Sequence, residues 1–143
     1  MIRTLFLLLA IVATYVEAKE TKDYSLGIEG SRPITVPVEE AEKLESQLHQ
    51  FAAQIKDCET VQGDWYNISI DKSVDYSLKK NAFSCILNIN LYSGEDYQCM
   101  LPHSITSRFS EAVELRIATG RIFGDFSEVE KDILFNQGYC ATR

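Results

Sequence analysis

The chain has 143 residues, of which 45% are hydrophobic and 24% charged, and its formal net charge at pH 7 is -7. This length predicts a single domain that can bury a hydrophobic core, and the sequence contains no internal repeat or low-complexity tract. The acidic balance argues against nucleic acid and anionic lipid as partners. It suits either solubility alone or a basic protein partner.

The first 18 residues have the three-part layout of a secretory signal peptide. Arg3 gives a positive start, Thr4 to Val16 carry no charge, and Val16-Glu17-Ala18 forms a cleavage site before a polar stretch. The alternative is an uncleaved membrane anchor, but a spanning helix needs roughly 20 apolar residues and this stretch has about 13. We therefore predict an exported protein, periplasmic or secreted, that is cleaved after Ala18 and has no membrane span in its mature chain.

The segment after the signal is polar and is followed by an amphipathic helix. Residues 19–35 contain two glycines and a proline, which predicts a flexible lead-in before a single domain over residues 36–143. A helix is predicted from Pro37 to Asp57, because proline suits a first helical position and acidic residues crowd the first turns. Its hydrophobic residues recur at spacings of three and four: Ala41, Leu44, Leu48, Phe51 and Ile55. This stripe is shorter than a coiled coil requires, so we expect the helix to pack on the core.

Three segments after this helix alternate between apolar and polar residues, as strands with one buried face do. They span Asp64–Ile70, Phe83–Leu91 and Tyr97–Leu101, and a turn at Ser93-Gly94 joins the last two. Val74–Leu78 is a weaker fourth candidate within a charged connection. Together these segments predict an antiparallel sheet of three to four strands.

Two further helices are predicted near the C-terminal end of the sequence. The first runs from Pro102 to Thr119 and stops at Gly120. The second is short and opens with a capping box formed by Ser127 and Glu130. Its predicted inward residues are Val129, Ile133 and Leu134. The predicted fold is therefore an α+β domain whose antiparallel sheet has one face covered by the N-terminal helix and these two C-terminal helices.

Four cysteines remain after removal of the signal, and an even count in an exported chain predicts two disulfides. They are Cys58, Cys85, Cys99 and Cys140, and their spacing contains no zinc-binding pattern. If the hairpin turn is centred between Ser93 and Gly94, Cys99 faces Asn88 and lies too far along its strand to bridge Cys85. Two pairings stay open: Cys58 with Cys99 and Cys85 with Cys140, or Cys58 with Cys85 and Cys99 with Cys140.

No group of residues stands out as catalytic. His103 lies beside Ser104 at a helix start, but no nucleophile elbow surrounds any serine, and a helix cap is the plainer interpretation. The acidic residues form no clear glycosidase pair or calcium loop, and no glycine-rich phosphate loop is present. Asn67-Ile68-Ser69 matches a glycosylation acceptor triplet, which matters only in a eukaryotic host. The sequence therefore predicts no catalytic residue, no metal and no cofactor.

The aromatic residues near the predicted hairpin are the candidate partner-binding residues, namely Trp65, Tyr92 and Tyr97. Alternation places Trp65 on the polar side of its strand, and the opposite register, with Trp65 in the core and Tyr66 outside, is equally open. Exposed aromatic residues on a half-solvated sheet are a common basis for protein recognition. We therefore expect an exported non-catalytic protein-binding domain, such as an inhibitor, an immunity factor or an accessory of envelope assembly. The alternatives are a small exported hydrolase that uses His103 with nearby acids, and a carrier of a small apolar ligand.

Overall fold

The computed structural model describes residues 18–124 and 126–143. The predicted signal peptide lies outside the described residues except for Ala18. The elements in chain order are β1 (Thr21–Tyr24), β2 (Ile34–Pro37), α1 (Val38–Asp57), β3 (Val61–Asn67), β4 (Lys72–Lys80), β5 (Ser84–Asn90), β6 (Asp96–Pro102), α2 (His103–Ala118), α3 (Glu128–Lys131), a π-helical turn (Asp132–Asn136) and β7 (Cys140–Thr142). Within these residues, no helix combines the length and the hydrophobicity needed to cross a membrane.

The strands form two antiparallel sheets, which confirms the α+β class. One sheet has five strands in chain order, β3-β4-β5-β6-β7, and the other contains only β1 and β2. The prediction of three to four strands is therefore too low. The charged connection after β3 is a full nine-residue strand, β4, because its alternate residues Val74, Tyr76 and Leu78 are buried while its charged residues face solvent. The three-residue strand β7 is too short to give a periodic signal.

The hydrophobic core lies between the five-stranded sheet and the two long helices, which pack against each other. Phe51 of α1 is at its centre and is fully buried. The centroid of its ring lies 4.9 Å from that of Trp65, 4.7 Å from that of Tyr76 and 6.1 Å from that of Phe109. Trp65 is thus a core residue, only 3% exposed, so the second of the two registers left open for this strand is the one observed. Burying such large rings is the largest favourable contribution that single side chains make to folding.

The two disulfides join Cys58 to Cys85 and Cys99 to Cys140. This is one of the two pairings left open by the sequence, and the expectation that Cys85 and Cys99 are not bridged is confirmed. The expected strand register is wrong by one residue, because Cys99 pairs with Leu87 rather than with Asn88. The reason is the turn, in which the Leu91 N–H donates to the Glu95 carbonyl and centres the hairpin on Ser93.

The segment predicted as a flexible lead-in over residues 19–35 contains β1 and part of β2. Tyr24 at the end of β1 is buried, and its ring meets that of Phe123 edge to face at 5.1 Å. The segment that contains Phe123 is bonded to the large sheet through Asn67 of β3. The buried side-chain amide of Asn67 donates to the carbonyl of Phe123 at 2.8 Å. The N-terminal sheet is therefore attached to the main core through this segment.

The predicted capping box of the last helix is present, with both of its hydrogen bonds. Its inward residues are predicted correctly for Ile133 and Leu134 but wrongly for Val129, which is 52% exposed. The reason is Glu130, which is fully buried because it both closes the box and pairs with Arg116. Neighbouring helix positions differ by about 100°, so the burial of Glu130 turns Val129 outward.

Candidate functional site on the open face of the sheet

One face of the five-stranded sheet packs on the core, and the other face carries two rows of polar side chains that cross the strands. The first row contains Gln62, Ser77, Asn88 and Gln98, and the second contains Asp64, Asp75, Asn90 and Asp96. The members of each row are direct cross-strand partners, so their side chains lie beside one another on the same face. We call this surface the open face.

The first row is held together by hydrogen bonds between its own side chains. The amide of Asn88 donates to the Ser77 hydroxyl at 3.2 Å, and the amide of Gln98 donates to the Asn88 side-chain oxygen at 2.9 Å. These bonds fix the side chains across three strands. The first row is therefore a hydrogen-bonded set of polar side chains beside the aspartates.

The second row contains three aspartates, and two of them are directly opposed. Asp64 on β3 pairs with Asp75 on β4. The N–H of Tyr66 points away from β4, because it donates to Gln47 of α1 at 3.3 Å. Asp64, two residues earlier, therefore also directs its backbone groups away from β4, and its pair with Asp75 is of the closer, non-hydrogen-bonded type. Like charges directly opposite each other in such a pair destabilise the sheet.

The open face forms a shallow groove with a volume of about 500 Å³. All three aspartates line it, together with Tyr97 and Arg143. Arg143 follows β7, and its N–H donates to the carbonyl of Asp96 at 2.9 Å. The lining thus carries three carboxylates and one guanidinium, so the groove is acidic overall.

Gly63 and Tyr76 are cross-strand partners beneath this groove. A Cβ atom on Gly63 would overlap the phenol ring of Tyr76, so the glycine makes room for the ring. The Tyr76 hydroxyl donates to Gln54 of α1 at 2.6 Å. Burial raises the pKa of Tyr76, and the negative charge of Asp64 raises it further. The charge of Asp64 on the open face therefore acts on Tyr76 in the core beneath it.

The predicted aromatic residues are not grouped on one exposed surface. The indole N–H of Trp65 donates to the Tyr92 hydroxyl at 3.0 Å, and Tyr92 is half-buried. Tyr97 is also half-buried, and its ring packs against that of Phe135 at 4.8 Å. Of the three, Tyr97 is among the residues that line the groove, and its cross-strand partner Ile89 is buried on the core face. Trp65 lies in the core, and a partner-binding role for Trp65, Tyr92 and Tyr97 stays a prediction.

The two histidines lie apart. His103 begins α2, is exposed and does not line the groove. His49 on α1 contacts the carboxylate of Glu114 on α2, with 2.7 Å between Nδ1 and Oε2. Both side chains of this pair are about half exposed, so it joins the two helices at the surface.

Other features that could hold a ligand are limited in the described part of the chain. Residues 18–124 and 126–143 contain no group of three or more histidine, cysteine, aspartate or glutamate side chains arranged to hold a metal ion. An apolar cavity beside Trp65 and Phe126 measures about 20 Å³, which is room for about one water molecule. A ligand of the size that the carrier hypothesis requires does not fit in it.

Neither a protein-family model, nor a curated protein, nor a solved structure matches this chain. The functional argument therefore rests on its own residues.

Sequence reasoning missed the aspartate row, although each member was visible as an acidic residue. Asp64 begins a predicted strand, Asp75 lies in the weaker fourth candidate strand, and Asp96 follows the predicted turn at Ser93-Gly94. These three residues fall in one row across the sheet only once β4 is a full strand and the hairpin is centred on Ser93.

Proposed function

We propose that this chain is an exported domain that binds a basic, extended segment of another protein on the open face of its sheet. The observation that carries the proposal is the opposed pair of Asp64 and Asp75, extended across the sheet by Asp96. This arrangement costs stability in the isolated protein. A lysine or arginine side chain placed over the row would remove that cost and form charge-assisted hydrogen bonds with the carboxylates.

The edge of the sheet supports an extended partner. β3 is the outermost strand, and its Gln62 and Asp64 direct backbone N–H and C=O groups away from β4, by the alternation that Tyr66 establishes. No hydrogen bond from another described residue reaches the backbone of these two residues. An added strand could pair with these groups, and its residue opposite Asp64 would place a side chain at the end of the aspartate row.

Export is part of the proposal. The two disulfides fit an oxidising compartment outside the cytoplasm. The sequence of the first 18 residues predicts a cleaved signal. The intact mass of the native protein, purified from its own host, should correspond to a chain that begins at Lys19 with both disulfides formed. A full-length chain retained in the membrane would contradict this part.

Binding is favoured over the two alternatives by where the residues lie. The hydrolase hypothesis needs a cleft that gathers His103 with acids, and this exposed histidine lies outside the acidic groove. The carrier hypothesis needs a large apolar cavity, and the apolar cavity beside Trp65 has room for about one water molecule.

The test uses a labelled ten-residue peptide with lysine at alternate positions, and the same peptide with glutamate in place of lysine. Fluorescence anisotropy should detect binding of the lysine peptide alone, and the affinity should fall as salt concentration rises. The triple variant Asp64→Asn, Asp75→Asn and Asp96→Asn should bind at least about tenfold more weakly, because each lost charge pair contributes up to about 1 kcal/mol.

A second triple variant provides the matched control. Glu29→Gln, Glu42→Gln and Glu111→Gln change the net charge by the same amount at exposed positions away from the groove. This control should keep the affinity of the wild type within about twofold, because screening weakens distant charges. Equal losses in the two triple variants would mean that only the overall charge matters, and they would overturn the open face as the binding site. Absence of binding to the lysine peptide would do the same.

A further inference from the structure

Another cavity is lined by none of the groove residues and carries mainly basic side chains. It measures about 170 Å³ and lies between residues 26–28, the end of α2 and the start of α3. Three basic side chains, Arg116, Arg121 and Lys131, line it together with one acidic residue, Glu128. Such a cluster is unusual in a chain whose net charge is -7, and no feature of the proposed binding groove accounts for it.

Arg116 is a buried side chain of this cavity that is held in place by its contacts. It is only 4% exposed, and its Nε lies 3.2 Å and 3.0 Å from the two carboxylate oxygens of Glu130. Its guanidinium also lies over the ring of Phe126, with 6.0 Å between Cζ and the ring centroid. These contacts fix the orientation of the side chain and remove most of it from water.

Among the described residues, the terminal nitrogens of Arg116 have no protein acceptor. Arg116 also lines the cavity of about 170 Å³. A buried guanidinium at a small cavity is a strong donor for an oxyanion.

Among the described residues, one cation at the cavity has no carboxylate partner. Glu130 pairs with Arg116, and Glu128 pairs with Lys131 at 3.2 Å. Arg121 makes no ion pair with any described residue. Its aliphatic stem packs over Gly27, since a Cβ atom there would lie 3.1 Å from Arg121 Cδ. Its backbone N–H is held by the Arg116 carbonyl at 3.1 Å, which keeps the two arginines at the same cavity.

We propose that this cavity binds a small oxyanion, held between the terminal nitrogens of Arg116 and the guanidinium of Arg121, with Lys131 at the rim. Its volume of about 170 Å³ is well above the roughly 10–15 Å³ that one water needs, so it accommodates phosphate, sulfate or a small carboxylate and excludes a macromolecule. Low exposure strengthens the attraction between the buried guanidinium and an anion, since the local dielectric is lower than in bulk water. Bound there, the anion would connect the loop of residues 26–28 to the ends of α2 and α3.

The experiment measures thermal unfolding of the full mature protein in phosphate, sulfate, acetate and chloride at constant ionic strength. The oxyanion that binds should raise Tm saturably, by about 4–6 °C at ten times its dissociation constant. Comparison of the phosphate, sulfate and acetate series identifies whether a tetrahedral ion or a carboxylate is preferred. Heteronuclear NMR should show the same titration at the Nε–H of Arg116.

Two arginine variants decide where the anion binds. Replacement of Arg116 would disturb a buried ion pair, so the test uses Arg121→Gln at an exposed side chain, with Arg108→Gln on the exposed part of α2 as the matched control. Arg121→Gln should weaken binding at least about fivefold, and Arg108→Gln should leave it unchanged. A Tm increase that is equal in all salts, or equal in both variants, would overturn the proposal, as would an Arg116 Nε–H resonance that does not shift. These outcomes are independent of the lysine-peptide test, since neither arginine lines the groove.

Discussion

The two faces of the five-stranded sheet come from alternate residues of the same strands, yet their chemistry is opposite. On the covered face, Trp65 and Tyr76 pack around Phe51 and are almost fully buried. On the open face, the residues that directly precede these two, Asp64 on β3 and Asp75 on β4, are exposed and oppose each other. The covered face thus provides the stability of the domain, and the open face contains a pair that lowers it. Residues that stabilise the fold and residues that serve recognition are therefore separable by mutation.

The largest effect should follow removal of the ring at the centre of the covered face. Phe51→Ala should lower the free energy of unfolding by about 3–5 kcal/mol, because it leaves a cavity among three packed aromatic rings. Met100→Ala on the open face, where the side chain is 57% exposed, should change it by less than about 0.5 kcal/mol. Urea unfolding of both variants provides the measurement. Similar losses in the two variants would show that the faces do not differ as described.

The two disulfides differ in how deeply their cysteines are buried. They close loops of 27 and 41 residues, for which chain entropy alone predicts nearly equal stabilisation, about 3.5 and 3.9 kcal/mol. Cys58 and Cys85 are both buried, whereas Cys140 is partly exposed at the sheet edge. Replacing the first pair by alanine should therefore cost more than replacing the second, because it also leaves a cavity in the core.

Mild reduction distinguishes the two disulfides without mutation. A thiolate needs access to a sulfur atom, so Cys99–Cys140 should open first. Timed alkylation followed by peptide mapping should label Cys99 and Cys140 before Cys58 and Cys85. The reverse order would mean that burial does not control which bridge is the more labile.

Tyr76 links the two faces and should give the stability of the protein an alkaline dependence. Burial, and then the charge of Asp64, raise its pKa above the ordinary 10.0. The native state then holds a proton that the unfolded chain has released, so the stabilisation is complete below pH 10 and is lost as pH rises through the folded pKa. Tyr76→Phe should lose about 1–2 kcal/mol at neutral pH through its hydrogen bond to Gln54. It should also show a shallower decline above pH 10 in unfolding experiments, and an unchanged decline would contradict this assignment.

The smallest effect should be a gain in stability. Asp64→Asn keeps the shape of the side chain and removes the repulsion from Asp75, so the free energy of unfolding should rise by about 0.5 kcal/mol at low salt. The gain should shrink at high salt, since exposed charges are screened. Glu111→Gln on α2 is the control and should change little. A loss of stability in Asp64→Asn would mean that the interaction between Asp64 and Asp75 is favourable and not repulsive.

Sequence reasoning found the elements with strong periodicity and failed where a position depends on distant contacts. The helix around Phe51 was predicted to within one residue, because its spacing reports the buried stripe directly. The orientation of Trp65 could not be decided, since Tyr66 beside it is also aromatic and only packing on α1 selects the register. Val129 was misplaced because the pairing of Glu130 with Arg116, 14 residues earlier in the chain, sets the rotation of the last helix. The aspartate row required the pairing of three strands, which no single segment encodes.

The position of Asn67 has a consequence for covalent modification. The triplet Asn67-Ile68-Ser69 has the sequence of an acceptor for an N-linked glycan, but the Asn67 side chain is fully buried and its amide holds the carbonyl of Phe123. Its oxygen also accepts from the backbone N–H and the hydroxyl of Ser69, at 3.0 Å and 2.6 Å. A sugar on this nitrogen has no path to solvent in the folded domain. In a cell that glycosylates such triplets, folding and glycosylation of this chain are therefore mutually exclusive outcomes, decided by which happens first after the segment enters the secretory lumen.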